Sequence, residues 1–268
     1  MNSKVLSTLE YNKIIDRLTE KADSAPGKAL ARDLVPMHDI EKIREAQTET
    51  ADALSRLFKK GSTSFGNTYD LGFSIKSLEI GSSLSASELL KIAGLLDNVS
   101  RIKSYGKKDR DDQPDDSLDV YFDALAPLTQ LSSEISRCIL SEEEIADDAS
   151  PTLKNIRRQI QLTNDKIHTQ LNSMVTGSLR TYLQDAVITM RDDRYCIPVK
   201  AEYKSQVSGM VHDQSSTGST FFIEPAAVVE LNNKLKSLFL DEKKEIEVIL
   251  QSLSSMAASH TEELTLDQ

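Results

Sequence analysis

The fold class is decided by residues 151–175, which read PTLKNIRRQIQLTNDKIHTQLNSMV. Apolar side chains recur there at steps of three or four residues or a multiple, which is the spacing of one helix face. That face comprises Leu153, Ile156, Ile160, Ile167, Leu171 and Met174, and Thr163 interrupts it. A seam this narrow, on a helix roughly 40 Å long at ~1.5 Å per residue, is buried best by a single partner helix.

A second seam of the same kind lies further along the chain. It comprises Val228, Leu231, Leu235, Leu238, Ile246, Ile249, Leu253 and Met256. Two long helices that flank a compact segment predict an antiparallel pair, with the segment at the far end of the pair.

The segment between the seams is typical of β-structure. The runs AVITM, RYCIPVK, VSGMVHDQ and STFFIE predict three or four short antiparallel strands, separated by turns at Asp192–Asp193 and at SSTG, residues 215–218. Pro198 cannot donate to a ladder, which places its strand at a sheet edge.

Residues 1–150 are typical of a series of helices, one of which begins with a capping-box pattern, Ser85 followed by Glu88. The run EEEIADDASP, residues 142–151, is interpreted as an acidic connector. We therefore expect a mainly α fold in four parts. These are a helical core (1–150), an ascending helix (151–184), a small antiparallel β tip (185–225) and a returning helix (226–268).

Composition excludes several classes of protein. The chain has 268 residues with 39% hydrophobic and 28% charged side chains, and neither a membrane-length apolar run nor a signal region, which predicts a soluble cytoplasmic protein. Cys138 and Cys196 lack metal spacing and are expected to be reduced structural thiols. The net charge of −10 argues against a basic coat, although residues 151–225 carry more lysine and arginine than acid.

The run VHDQSSTGSTFFIEP, residues 211–225, collects groups used in catalysis but predicts none. SSTGST has one glycine and no lysine, so it lacks the elements of a nucleotide-binding P-loop, and no cofactor or metal site is expected. A hydrolase built on His212, Asp213 and Ser215 or Ser216 is disfavoured, because neighbouring strand residues point to opposite faces. A hydrogen-bonded structural histidine is the favoured interpretation.

A contact surface suits the same region better. Cations and short hydroxyl or amide groups suit phosphate and sugar contacts that position a protein without reading sequence. The candidate nucleic-acid contacts are Arg191, Arg194, Lys200, Lys204, His212, Gln214, Ser215, Ser216 and Thr217. Interspersed carboxylates predict weak, salt-sensitive binding. The residues alone leave nucleic-acid contact and protein–protein contact equally open.

The run LQDAVITMRDDRYCIPVKAEYKSQVSGMVHDQSSTGSTFFIEPAAVVELNN, residues 183–233, closely resembles the clamp segment of the MutS family. It is similar to the second bacterial branch, the MutS-type endonucleases that lack mismatch-reading domains. LEYNKIIDRL (9–18), SRCI (136–139) and SPTLKNIRRQI (150–160) also resemble that branch, so the resemblance runs over essentially the whole chain.

The resemblance implies a core, lever and clamp that belong to a larger homodimeric protein. It implies ATP and Mg²⁺ in an ATPase domain and nuclease activity in a further domain, with this chain itself non-catalytic. It implies branched DNA, collided ribosomes or both as partners, and no membrane. The family usually has Asp-Gly where this chain has Asp192–Asp193, which predicts a different turn or a longer loop. The alternative is a coiled-coil scaffold that docks a protein and makes no nucleic-acid contact.

Overall fold

The structure, a computed structural model, describes residues 3–65, 69–108 and 115–268. The chain divides into two compact units, here called the first unit (Met1–Ala146 with Leu250–Gln268) and the second unit (Asp147–Ile249). Helix, including short 3₁₀ helices, makes up 65% of the described residues, with small antiparallel sheets, which confirms the mainly α fold class. The helices are α1 Ser3–Thr8, α2 Tyr11–Lys21, α3 Ala25–Asp33, α4 Ile40–Lys60, α5 Gly72–Glu79, α6 Ala86–Gly106, α7 Asp119–Ala124, α8 Thr129–Cys138, α9 Pro151–Thr176, α10 Val229–Ala258 and α11 Thr261–Asp267. The strands are β1 Ile139–Ser141, β2 Glu144–Ile145, β3 Thr189–Arg191, β4 Arg194–Lys200, β5 Gly209–Gln214 and β6 Thr220–Pro225.

Helix α6 forms the centre of the first unit. It begins with the predicted capping box, in which the Ser85 hydroxyl accepts from the Glu88 N–H and the Glu88 carboxylate accepts from the Ser85 N–H. These bonds satisfy two of the donors that a helix start leaves open. The buried face of α6, including Leu89, Ile92 and Leu96, packs against α8. The core of this unit therefore follows from ordinary helix amphipathicity.

The acidic connector was predicted incorrectly at its start. Residues Glu144–Ile145 form strand β2, which pairs with β1 through Ile139 and Ile145. Both isoleucine side chains are buried, whereas Glu142 and Glu143 are exposed in the intervening turn. The acidic run therefore concealed a hairpin, because a single apolar residue, Ile145, anchors the return strand.

Helices α9 and α10 run antiparallel within the second unit. The Ser150 hydroxyl donates to Glu245 over 2.6 Å and the Arg157 Nε donates to Glu242 over 2.7 Å. Further along, α9 and the start of α10 share one apolar cluster with the sheet. Helices α9 and α10 therefore lie against each other, as the two apolar patterns predict.

The position of each seam differs in detail from its prediction. Thr163 is buried within the α9 seam instead of interrupting it, and Val175 is the buried residue at its end, with Met174 only partly buried. On α10, Met256 is 39% exposed and Ala257 is buried. A seam with an average spacing of 3.5 residues drifts by about 20° per heptad around a helix of 3.6 residues per turn, so its ends shift by one position.

The second unit contains a four-stranded antiparallel sheet in the order β3-β4-β6-β5. Ile197 lies opposite Ile223, and Val199 lies opposite Phe221. Ile197, Val199 and Ile223 pack in the apolar cluster with Ile167 and Leu171 of α9. One face of the sheet is thus closed by the helix pair.

Strand β4 is an interior strand, so the prediction that Pro198 marks an edge strand was wrong. The physical reason for the prediction still holds locally. Strand β3 pairs with β4 only as far as Cys196, and the Pro198 carbonyl accepts from the N–H of Gln184 over 2.9 Å. The N–H that Pro198 lacks would point to the side of β4 where pairing with β3 has already ended. No hydrogen bond between strands is therefore lost there.

The β3–β4 turn keeps two residues, so the prediction of a different or longer loop was also wrong. Asp192 and Asp193 both adopt positive φ angles, 50° and 60°, between Arg191 and Arg194, which pair directly. Positive φ at both central residues is the signature of the type I′ hairpin, which matches the twist of the strands. Aspartate accepts this conformation better than most residues, but glycine accepts it without a Cβ clash.

Replacing Asp193 with glycine is expected to raise the free energy of unfolding by about 0.5 kcal/mol, because relief of the left-handed conformation exceeds the entropy that glycine adds to the unfolded chain. Urea denaturation followed by circular dichroism measures the change. Asp185→Gly is the matched control, since Asp185 is an exposed loop aspartate without a positive φ. Equal effects of the two substitutions would contradict the prediction.

Candidate functional site

The nine predicted contact residues are divided between the two ends of strand β4. Lys200 ends the strand opposite Thr220, and the Ala201 N–H donates to the Ser219 carbonyl over 2.9 Å. The 3₁₀ helix Ala201–Gln206, which carries Lys204, therefore lies beside the β5–β6 turn. Arg194 begins the same strand, six residues earlier, at a backbone separation of roughly 20 Å from Lys200.

The β5–β6 turn is fixed by its own hydrogen bonds. The Ser215 N–H donates to the Thr220 carbonyl over 2.9 Å, and the Ser215 hydroxyl accepts from the Thr220 N–H over 3.0 Å. Gly218, with a φ of 72°, donates its N–H to Ser215 over 2.8 Å. The Gln214 side chain donates to the Gly218 carbonyl over 3.2 Å. Gln214 and Ser215 thus hold the turn together.

Ser216 and Thr217 are exposed at the tip of this turn. The Thr217 hydroxyl contacts the Ser219 hydroxyl at 2.8 Å and the Ser215 hydroxyl at 3.4 Å. Short hydroxyl groups on a rigid turn can each exchange a hydrogen bond with an oxyanion. The tip is therefore a preformed polar surface.

Lys200 and Lys204 each lie near an aromatic ring. The Lys204 ammonium stands 4.3 Å from the centre of the Phe221 ring, and that of Lys200 stands 5.9 Å from the Tyr203 ring. Among the described residues neither lysine forms an ion pair. Ring contacts position an ammonium without neutralising it, so both charges remain available at this end of the sheet.

Arg191 is positioned on the other strand of the hairpin and is partly neutralised. Its guanidinium lies 4.0 Å above the Phe222 ring, and its Nε donates to Asp213 over 2.9 Å. The side chain is about one third exposed. Arg191 therefore offers part of its charge to solvent and part to Asp213.

Arg194 and His212 are directed inward, toward the buried carboxylate of Glu224. Arg194 donates to Glu224 Oε1 over 2.9 Å, and His212 Nε2 lies 2.6 Å from Oε2. Asn232 of α10 donates to Oε1 over 2.8 Å and bonds both backbone groups of Tyr195. Glu224, Arg194, His212 and Asn232 are here called the Glu224 network.

The electrostatics of the Glu224 network favour the charged carboxylate. Burial alone would raise the pKa of Glu224, but the hydrogen bonds from Asn232, His212 and Arg194 together outweigh burial and hold that pKa below its usual value. A fully buried carboxylate, 0% exposed, is thereby kept ionised by partners from two other strands and one helix. The network joins the sheet to α10.

The predicted structural role of His212 is confirmed, although the argument from strand alternation does not apply there. Strand β5 has a bulge between Val211 and Asp213, which pair with Ile223 and Phe222, and a bulge interrupts alternation. His212 engages Glu224, Asp213 engages Arg191, and the Ser215 hydroxyl accepts from the backbone. His212, Asp213 and Ser215 thus each have a partner outside that triad, and Ser216 lies exposed at the tip of the turn.

The sequence interpretation missed Glu224 and Asn232. Two signals were present: an acid between Ile223 and Pro225 in an otherwise apolar strand, and an asparagine beside Leu231 in the α10 seam. A charged residue in an apolar strand indicates a buried ion pair, and its partners on β4 and β5 were already candidates.

Other site classes find little support in the described parts of the chain. Across residues 3–65, 69–108 and 115–268 no group of three His, Cys, Asp or Glu side chains is arranged to hold a metal ion. Nor is any helix in these ranges both long and apolar enough to cross a bilayer.

Burial, and secondarily the charge of Glu224, raises the pKa of the Cys196 thiol to about 12. Cys138 and Cys196 are both buried outside any disulfide.

Known proteins that share one description match this chain over its whole length. No family model matches the chain. A protein described as endonuclease MutS2 from Agathobacter rectalis is 53% identical over 268 residues, which is the whole chain and 34% of that protein. The proteins of the same description from Lachnospira eligens and Lachnoclostridium phytofermentans are 51% and 49% identical over the whole chain, which covers 33% and 34% of their lengths. The chain thus spans about a third of the length of these curated relatives.

Proposed function

Because the chain belongs to the MutS2 family, we propose that its second unit is a sequence-independent nucleic-acid contact module, the clamp and lever of a MutS-type ATPase and endonuclease. In this proposal a homodimer uses the module to hold branched or structured DNA, ribosomal RNA, or both. The residues of this chain position the nucleic acid and perform no chemistry. The relatives of the same description support a MutS-type role.

The proposal depends chiefly on the surface formed by Lys200, Lys204 and the tip of the β5–β6 turn. It presents two ammonium groups without an acidic partner among the described residues, beside the exposed hydroxyls of Ser216 and Thr217. Lysine ammoniums and short hydroxyls are the groups that contact phosphates and sugars in sequence-independent binding. Arg191 is a further, partly neutralised contact.

Arg194 and His212 are assigned a supporting role in the same proposal. Both donate to Glu224, and Gln214 and Ser215 maintain the turn. Reversing the charge of Arg194 would therefore disrupt the Glu224 network before it tested any phosphate contact. Of the nine predicted contact residues, five remain as proposed direct contacts: Lys200, Lys204, Arg191, Ser216 and Thr217.

The β5–β6 turn does not fit ATP and Mg²⁺, which the family implies. The N–H groups of Ser215, Gly218 and Thr220 are all bonded within the β5–β6 turn, so that turn offers no cradle for a phosphate chain. We assign no step through the nucleotide to this part of the protein.

Charge reversal at Lys200 and Lys204 together is expected to weaken binding of a fluorescent four-way junction about tenfold at low salt. The slope of log affinity against log salt is expected to fall by about 2, since two phosphate contacts are lost. Fluorescence anisotropy at a series of salt concentrations measures both quantities, with duplex DNA and ribosomes as further ligands. Lys21→Glu with Lys42→Glu is the matched control, because both lysines are exposed in the first unit. Equal losses in the two double variants would contradict the proposed surface.

A protein-docking scaffold is the second candidate, and one observation favours it. Helix α4 carries Leu54, Leu57 and Phe58, which are 53%, 48% and 82% exposed. Large uncovered apolar patches mark protein contacts. Chemical cross-linking in cells that recovers only proteins on α4 and on the sheet would favour the scaffold over the nucleic-acid module.

A further inference from the structure

A second surface of the second unit is a cleft of about 440 Å³ between the β3–β4 hairpin and helices α9 and α10. Its walls include Met190 and Tyr195 from the hairpin, Asn164 from α9, and Lys236, Phe239 and Leu240 from α10. This volume is within the range of small-molecule binding sites, roughly 300–1,000 Å³. None of these residues belongs to the Lys200 and Lys204 surface.

The apolar walls comprise three exposed side chains and one tyrosine ring that is held in place. Met190, Phe239 and Leu240 are 47%, 48% and 54% exposed, which leaves flat apolar area open to water. The Tyr195 ring packs edge-on against His168 at 4.9 Å, and both Tyr195 backbone groups bond Asn232. One wall is therefore fixed in place before any ligand arrives, which lowers the entropic cost of binding.

Two polar side chains that line the cleft, Asn164 and Asp193, offer hydrogen-bond acceptors. The Asn164 amide oxygen is enclosed and has no hydrogen-bond partner among the described residues. The Asn164 side chain lines the cleft, and its broad terminal torsion allows the amide to rotate when a donor binds. The Asp193 carboxylate also lines the cleft and can only accept. The Lys236 ammonium lines it as well and supplies a cation for an attached phosphate.

We infer that this cleft binds one unpaired nucleobase that carries an exocyclic amine. Stacking on an aromatic wall contributes to binding for any base, and an amide or carboxylate acceptor selects a base with an amino group. An aliphatic side chain of a protein partner supplies no donor, so the Asn164 oxygen would stay unsatisfied in that complex. The inference rests on the proposed function, and Arg191, a further contact in that proposal, directly follows the cleft residue Met190 on strand β3.

The test uses the whole chain and duplexes that differ at a single extrahelical position, which holds adenine, unsubstituted purine or an abasic site. Wild-type protein is expected to bind the adenine duplex about tenfold more tightly than the abasic one by anisotropy. Phe239→Ala removes this preference, while its affinity for a fully paired duplex stays unchanged. Phe58→Ala is the control, since Phe58 is an exposed phenylalanine of the first unit.

Asn164→Leu separates the amine contact from stacking. It is expected to abolish the preference for adenine over unsubstituted purine, about tenfold in wild type, and to keep the preference for purine over the abasic site. Suppose that the wild-type protein binds paired duplex but has equal affinity for the three duplexes with an extrahelical position. That result would overturn the cleft assignment and leave the proposed function standing. Absence of any nucleic-acid binding would overturn the proposed function and this inference together. Equal effects of Phe58→Ala and Phe239→Ala would also overturn the inference.

Discussion

Glu224→Ala is expected to lower the free energy of unfolding of the second unit by about 3–5 kcal/mol, the range measured when one partner of a buried ion pair is removed. The substitution leaves Arg194, His212 and Asn232 without their common acceptor. Arg194 keeps Asn233 as a second partner, but its charge then lacks compensation in a position that is 18% exposed. A small cavity adds to the loss.

Urea denaturation monitored by circular dichroism measures the effect of Glu224→Ala. Glu202→Ala is the matched control, because Glu202 is an exposed acid of the same unit. A double-mutant cycle with Arg194→Ala isolates the pairwise energy. A change below about 1 kcal/mol, no larger than that of a typical exposed pair, would contradict the assigned role of the network.

The Glu224 network also predicts a direction of pH dependence. The folded-state pKa of Glu224 is lower than normal, so folding favours the ionised carboxylate. Its contribution is fully present above the unfolded-state pKa of about 4.3 and is lost as the pH falls through the lower folded-state value. Wild type and Glu224→Ala are therefore expected to converge in stability between about pH 4 and strong acid. A constant difference over that range would contradict the predicted linkage.

Arg56→Ala is expected to destabilise the first unit by a similar amount, about 3–5 kcal/mol. Arg56 is 8% exposed and donates to both oxygens of Asp116, over 2.7 and 2.6 Å. It also donates to Asp119 over 2.5 Å and to the Gly106 carbonyl over 3.1 Å. The bidentate bond to Asp116, more than the backbone bonds or Asp119, lowers the pKa of Asp116, which is the expected result of a well-formed Arg–carboxylate pair.

Thermal unfolding and hydrogen exchange resolved by peptide measure the loss at Arg56. Arg44→Ala is the control, since Arg44 is an exposed arginine on the same helix. Arg56→Lys is expected to recover only part of the stability, because an ammonium cannot make the bidentate contact. Full rescue by lysine, or equal effects of Arg44→Ala and Arg56→Ala, would show that the guanidinium geometry is unimportant.

Elements set by neighbouring residues could be predicted from the sequence. The capping box at Ser85 depends on two residues three positions apart, and the α9 seam depends on repeats of three and four residues. Both patterns are local, so sequence spacing determines them. The two-residue hairpin at Asp192–Asp193 is local too. There the twist of the paired strands imposes positive φ angles on both residues, and this outweighs the preference of such positions for glycine.

The candidate site could be predicted only as a region. Whether a cation faces solvent depends on strand register and on residues far along the chain. Arg194 meets Glu224 from thirty positions away, whereas Lys200 finds an aromatic neighbour three positions on. The bulge at His212 shifts every later side chain relative to a regular strand, and no local pattern marks it. The sequence therefore identified the cations and could not separate those that face solvent from those that support the sheet.

Each unit contains one buried cysteine, and the alkylation rate of that cysteine measures how readily the unit opens. Cys138 lies in the first unit and Cys196 in the second, and a thiol reacts with an alkylating reagent only when it is exposed and deprotonated. In the closed second unit, a thiol with a pKa of about 12 is inert at neutral pH. Alkylation rates resolved by mass spectrometry at the two positions therefore give separate opening free energies from one sample of unmodified protein.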